Sequence, residues 1–186
     1  MSKKHIITMS GDLASGKGTV AKILCESLGY EIYKNGEYAR MLARNLGLDI
    51  TSFNVYVADH PEIDQEIENS AAKYAETHDN LVVDARLGWY AIPDSFKVYL
   101  TVDIDVAAQR AFLDPNRKST ETFQTVQDQK ADMQNRFKLE NERFFKLYGI
   151  RKEDLSNYDL VIDTTNKTPL QVASEIVDKY NEWLAE

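Results

Sequence analysis

The chain has 186 residues, 43% of them hydrophobic and 28% charged, with a formal net charge of −8. That is enough length and apolar content for one α/β domain with a substantial core. The acidic balance argues against a general nucleic-acid or anionic-membrane surface, because phosphate backbones need clustered Lys and Arg.

Cys25 is the only cysteine, so no internal disulfide forms and a reducing compartment, the cytoplasm, is expected. The apolar stretch behind His5 is too short for a signal peptide, and no run approaches membrane-spanning length. Ile6–Met9 reads as a buried strand. A glycine loop follows, Gly11-Asp12-Leu13-Ala14-Ser15-Gly16-Lys17-Gly18-Thr19, and then a helical pattern from Val20 to Leu28. A strand, a Gly-x4-Gly-Lys loop and a helix in that order are the context of a phosphate-binding loop. Glycine adopts the φ values that let backbone N–H groups wrap phosphate oxygens. The helix N-terminus adds unpaired N–H groups and partial positive charge. Lys17 adds a full charge. The hydroxyl that usually follows the lysine stands one place later, at Thr19. The candidate cradle is therefore Gly11, Ala14, Ser15, Gly16, Lys17, Gly18 and Thr19.

Gly29 suits the left-handed cap of the first helix. Tyr30–Tyr33 reads as a second strand. Behind Asn35-Gly36, Tyr38, Met41, Leu42 and Leu46 predict a helix from Glu37 to Leu46, stopped by Gly47. Asp49–Ala58 is a short helix or turn. His60-Pro61-Glu62 opens a helix whose apolar stripe is Ile63, Ile67, Ala71, Tyr74 and Ala75. Leu81–Asp84 and Phe96–Val102 are buried strands, and Asp105–Leu113 is a helix. Asp114–Lys118 is expected to be a mobile charged turn. Ser119 or Thr120 is expected to cap a long helix reaching Tyr148, closed by Gly149. Leu155 and Tyr158 are expected to pack in a connector before a last strand, Leu160–Asp163. Thr168-Pro169 opens a C-terminal helix that turns Leu170, Val172, Ile176, Val177, Tyr180 and Leu184 roughly to the core.

Short apolar strands alternating with helices imply a parallel sheet with helices on both faces. Ligands of such sheets sit at the carboxyl ends of the strands. Here those ends are Ser10–Gly11, Lys34–Asn35, Asp84–Arg86 and Asp103. Phosphoryl transfer needs a phosphate cradle, Mg²⁺ and several cations more than covalent chemistry. Asp84, closing a strand beside the loop, is the candidate to hold Mg²⁺. Arg40, one turn after Gly36, can point back to the cleft, and Arg86 follows Asp84. Arg110 could reach the same cleft, or be an ordinary surface arginine. Arg136, Glu140 and Arg143 are spaced by four and three, so they share one face of the long helix. Phe137, Phe144 and Tyr148 form a neighbouring apolar stripe. On spacing alone that charged face reads first as a solvated surface.

Taken together these residues resemble the cytidylate kinase-like nucleoside monophosphate kinases, especially the short archaeal-type cytidylate kinases, over nearly the whole chain. Gly11–Thr19 is similar to the family's GxxxxGKGT loop, and Asn35–Arg40 to its SGxxxR. Asp84-Ala85-Arg86 is similar to its (D/E)GR segment, and Arg136-x3-Glu140-x2-Arg143 to its R-x3-(D/E)-x2-R. Lys34, Asn35, Ala85 and Ala107 depart from the usual residues. The resemblance implies a P-loop NTPase fold in one domain over 1–186, with a monophosphate-binding segment at about 35–78 and a lid at about 110–143. It implies ATP- and Mg²⁺-dependent phosphorylation of CMP or dCMP. Lys17 and Thr19 would bind ATP phosphates, Thr19 and Asp84 would organise Mg²⁺, and Arg110 and Arg136 would serve the transferring group. Asn35, Gly36, Arg40, Arg86 and Arg143 would hold the acceptor phosphate, and Glu140 would read the cytosine amino group. Asp163–Asn166 would lie near the ATP adenine. The expected partners are small-molecule nucleotides, without a nucleic-acid polymer or membrane, and the expected state is a monomer or weak homodimer. Two other readings stay open: a P-loop kinase for another small acceptor, and a nucleotide-binding regulatory protein with little catalysis.

Overall fold

A computed structural model describes residues 4–48, 50–115 and 123–186. Among the described residues five strands form: β1 Ile6–Gly11, β2 Glu31–Lys34, β3 Leu81–Asp84, β4 Phe96–Thr101 and β5 Leu160–Asp163. Among the described residues the helices are α1 Lys17–Leu28, α2 Asn35–Asn45, α3 Ile50–Ala58, α4 Pro61–Thr77, α5 Gly88–Ala91, α6 Ile104–Leu113, α7 Val126–Tyr148 and α8 Pro169–Ala185. The strands pair in the order β2-β3-β1-β4-β5, every neighbour parallel. Parallel neighbours need crossovers, which the helices supply. In register, Met9 stands beside Asp84 and Gly11 beside Leu100, so the carboxyl ends of β1, β3 and β4 meet along one edge.

The central strands β1, β3 and β4 lack alternation because both faces are covered. On one face Ile7, Met9, Val82, Val98 and Leu100 pack against Val20, Ala21 and Leu24 of α1 and Val172, Ala173, Ile176 and Tyr180 of α8. On the other, Ile6, Leu81 and Val83 meet Ala71 and Ala75 of α4 and Ile92. A satellite cluster of Ala43, Phe53, Val57 and Ile67 ties α2, α3 and α4 together. Ala107, Ala108 and Ala111 of α6 pack on Met133 of α7, with Leu13 and Ala14 of the glycine loop against them. The loop is thus seated between the sheet edge and the α6–α7 pair. No helix among the described residues is long and apolar enough to cross a membrane.

Several local expectations are corrected. α1 starts at Lys17, three residues early, because Gly16 at φ 85 is its N-cap; the lysine and Thr19 therefore ride in the first turn. α5 escaped the sequence reading because four residues are too few to show a period. The N-cap of α7 is Thr125, whose hydroxyl accepts from Asp128 N at 3.1 Å, so the long helix starts later than expected. Ser119 and Thr120 lie outside the described residues, as do Asn116, Arg117 and Lys118 of the expected turn. Leu155 and Leu170 are not packed, being 41% and 69% exposed, whereas Tyr158 is buried. Thr168 does open α8, through a reciprocal capping box with Gln171.

Candidate active site

The loop between β1 and α1 is fixed from both sides. A Cβ at Gly11 would lie 2.6 Å from the Leu100 carbonyl oxygen, so glycine permits the close approach in which Asp12 N donates to Leu100 O at 2.9 Å. The Asp12 carboxylate accepts from Tyr99 Oη at 2.8 Å and from Val102 N at 3.1 Å. Burial and that carboxylate together raise the Tyr99 pKa and keep the phenol a donor. Ala14 at φ 59 and Gly16 at φ 85 take left-handed conformations, the backbone geometry of anion-binding nests. A Cβ at Gly16 or Gly18 would meet nothing within 4 Å, so open space borders the loop. Lys17 crosses to the end of β3 and pairs with Asp84 Oδ1.

The Ser10 hydroxyl lies 3.0 Å from the carbonyl oxygens of both Ala85 and Arg86. This fastens the segment after β3 to the end of β1. Arg86 then turns away from the loop, and its Nε sits 2.8 Å from Glu140 Oε1 on α7. The other Glu140 oxygen accepts from Lys152, a residue only 5% exposed. Burial alone would raise the Glu140 pKa, but Arg86 and Lys152 overcome it and hold the carboxyl down to about 2. Arg143, one turn on, places Nη2 3.5 Å from Asp64 Oδ1 on α4. Glu68, the next turn of α4, accepts from Asn35 Nδ2 at 3.3 Å. Its burial pushes the carboxyl up to about 7 against the pull of Arg86. Burial also raises Asp64, opposed by Arg143. It pushes Tyr148 up to about 12, with Asp64 and Glu68 adding to the effect.

Two neighbouring groups of candidates result. Gly11–Thr19 and Asp84 form one; Asn35, Arg86, Glu140 and Arg143 form the other. The Arg40 guanidinium folds back over Gly36, with Nη1 3.7 Å from the position of a Cβ there. Arg110 stands apart from both, donating from Nη2 to Thr164 O at 2.9 Å and Thr165 O at 3.0 Å beyond β5. Arg136 lies 3.8 Å from Asp132 within its own helix and is partly exposed. Lys34 pairs with Glu37 at 3.0 Å.

Sequence reasoning missed Asp64, Glu68, Lys152 and the anchoring role of Asp12. The first two had a signal. At helical spacing Asp64 and Glu68 lie against the Ile67–Ala71–Ala75 stripe, so they had to be buried. Lys152 had none, since its partner lies across a loop closed by tertiary packing.

The cytidylate kinase-like family model matches residues 6–166. The chain belongs to the cytidylate kinase-like family. It is 34% identical over 182 residues to a cytidylate kinase of Thermoplasma volcanium, covering 95% of this chain and 91% of that one. It is also 34% identical over 180 residues to an S-adenosylmethionine-dependent nucleotide dehydratase of Lacinutrix mariniflava, covering 96% of this chain but 36% of that protein. The fold is that of the P-loop kinases. Shikimate kinase from Acinetobacter baumannii superposes with a TM-score of 0.59 at 18% identity, over 95% of this chain and 93% of that one.

Proposed function

We propose that the protein is an ATP:nucleoside monophosphate phosphotransferase acting on CMP or dCMP. The γ-phosphoryl group of ATP passes to a phosphate oxygen of the acceptor, breaking the bond to the β-phosphate oxygen and giving ADP and a nucleoside diphosphate. One observation carries the reading. The end of β3 joins the glycine loop through Asp84 and the cationic cluster through Arg86, so a phosphate donor and a phosphate acceptor would sit on adjacent strand ends.

On the donor side the loop N–H groups and Lys17 take the ATP phosphates, Lys17 exchanging Asp84 for phosphate oxygens. Thr19 and Asp84 are hard oxygen donors, the ligand type Mg²⁺ takes alongside substrate phosphates and water. The ion supplies charge neutralisation between the phosphates. Arg110, which donates to Thr164 and Thr165 in this structure, and Arg136 add positive charge to the transferring group. On the acceptor side Asn35, Gly36, Arg40, Arg86 and Arg143 hold the monophosphate. Glu140, which pairs with Arg86 in this structure, reads the cytosine amino group. In this reading 35–78 is the arm that carries the acceptor and 110–143 the lid, which would exclude water from the transfer.

Steady-state assays with ATP, Mg²⁺ and CMP, dCMP, UMP or AMP test this. Turnover is expected to be fastest with the cytidine monophosphates. No turnover on any pyrimidine monophosphate would overturn the reading.

A further inference from the structure

An aspartate is an unexpected residue in a loop that holds phosphate. Gly11–Thr19 carries one anionic side chain, Asp12, and one cationic one, Lys17. A carboxylate turned among the loop N–H groups would repel phosphates and, being an anion itself, would fill the nest they need. In the structure it is turned the other way. Both oxygens are spent on β4 and its exit, one accepting from Tyr99 Oη at 2.8 Å and the other from Val102 N at 3.1 Å. Ser15 in the same loop is the contrary case, only 3% exposed and with no partner for its Oγ. Tyr99 is 2% exposed, and its ring packs on Tyr158 with centroids 4.9 Å apart. A buried phenol needs a hydrogen-bond partner, and here the partner is an acid that belongs to the loop. Phenylalanine would fill the same space, so packing alone does not call for the hydroxyl.

We propose that Tyr99 is a positioning residue for the donor nucleotide: its hydroxyl holds the Asp12 carboxylate against β4 and so keeps the loop N–H groups for phosphate. Val102 N alone does not suffice. A single backbone donor engages one oxygen and leaves the other free to turn towards the loop. The tyrosine supplies the second donor, and its buried site keeps the phenol protonated, so the clamp persists wherever Asp12 is ionised. Tyr99 touches no nucleotide in this account and acts only through Asp12. The assignment rests on the phosphate-binding role given to the loop above.

The test titrates ADP by calorimetry into wild type, Tyr99→Phe, Asp12→Ala and the double variant. Tyr99→Phe should raise Kd by about 10-fold, the low end for loss of a hydrogen bond to a charged group. The double variant should bind ADP more tightly than Tyr99→Phe alone, because the misplaced charge is then gone. A packing role for Tyr99 gives no such recovery. In steady state Tyr99→Phe should raise KM for ATP by a similar factor and leave KM for CMP unchanged. Unaltered ADP binding in Tyr99→Phe, or a loss that Asp12→Ala does not relieve, overturns the assignment. If Tyr99→Phe does not fold by circular dichroism, Asp12→Glu takes its place. It keeps the charge but carries it one methylene past its two donors, so it should bind ADP more weakly than Asp12→Ala. Equal or tighter binding overturns the assignment. Failure of the kinase reading is separately visible as absent wild-type turnover, since ADP binding tests Tyr99 without it.

Discussion

Glu68→Gln removes one ionisable group from the buried cluster between α2, α4 and α7 while keeping an oxygen for Asn35. The folded protein holds the Glu68 proton up to about pH 7, whereas the unfolded chain releases it near 4.5, the ordinary glutamate value. Stability from this group is therefore complete below pH 4.5 and is lost as pH rises through 7. Forcing a carboxyl moved that far to ionise costs about 3 kcal/mol. Glutamine does not titrate, so the variant's advantage over wild type should grow by about 3 kcal/mol between pH 4.5 and 8. Urea unfolding of both proteins across that range measures the difference, in which titrating groups remote from Glu68 cancel. An unchanging difference from pH 4.5 to 8 would refute the claim that Glu68 ionises in a dry cluster beside Asp64 and Glu140.

Lys152→Met leaves Glu140 buried with only Arg86 on its oxygens, and should destabilise by about 3 kcal/mol at neutral pH. Because the carboxyl then titrates above its present value of about 2, the loss should shrink as pH falls from 4.5 towards 2 in acid unfolding curves. Gly11→Ala drives a methyl into the Leu100 carbonyl, where the clearance is 2.6 Å. The loop must shift off β4, costing about 2 kcal/mol in thermal or urea unfolding. Calorimetric titration with ADP should show weakened binding in the same variant.

The sheet was legible because β1, β3 and β5 are short, mainly apolar runs and β4 is apolar at Phe96 and Val98–Leu100, while β2 was read from Ile32 and Tyr33 between Gly29 and Asn35. Helix starts were legible where a cap chemistry marks them, as at Pro61 and Thr168. The start of α7 was not, because Ser119, Thr120 and Thr125 offer the same hydroxyl and only Thr125 meets an Asp three residues on. At the site, the glycine loop announces itself locally. The partner of Glu140 does not: Arg86 lies 54 positions earlier and Lys152 twelve later, and only the packing of α7 over the end of β3 joins them. A charged helix face that reads as solvated is in fact turned inward at Glu140 and Arg143, because Asp64 and the two cations neutralise it there.

Asp84 and Arg86 are separated by one residue. Ala85 is 3% exposed and its carbonyl is within 3.0 Å of the Ser10 hydroxyl, so this short stretch moves as a unit. Lys17 grips it on one side and Glu140 on the other. A nucleotide that releases Lys17 from Asp84 removes a restraint from the same peptide that aims Arg86. Free-energy coupling between two binding sites is reciprocal. Under the proposed function, whatever factor the donor nucleotide imposes on acceptor affinity through this lever, the acceptor returns to the donor in equal measure.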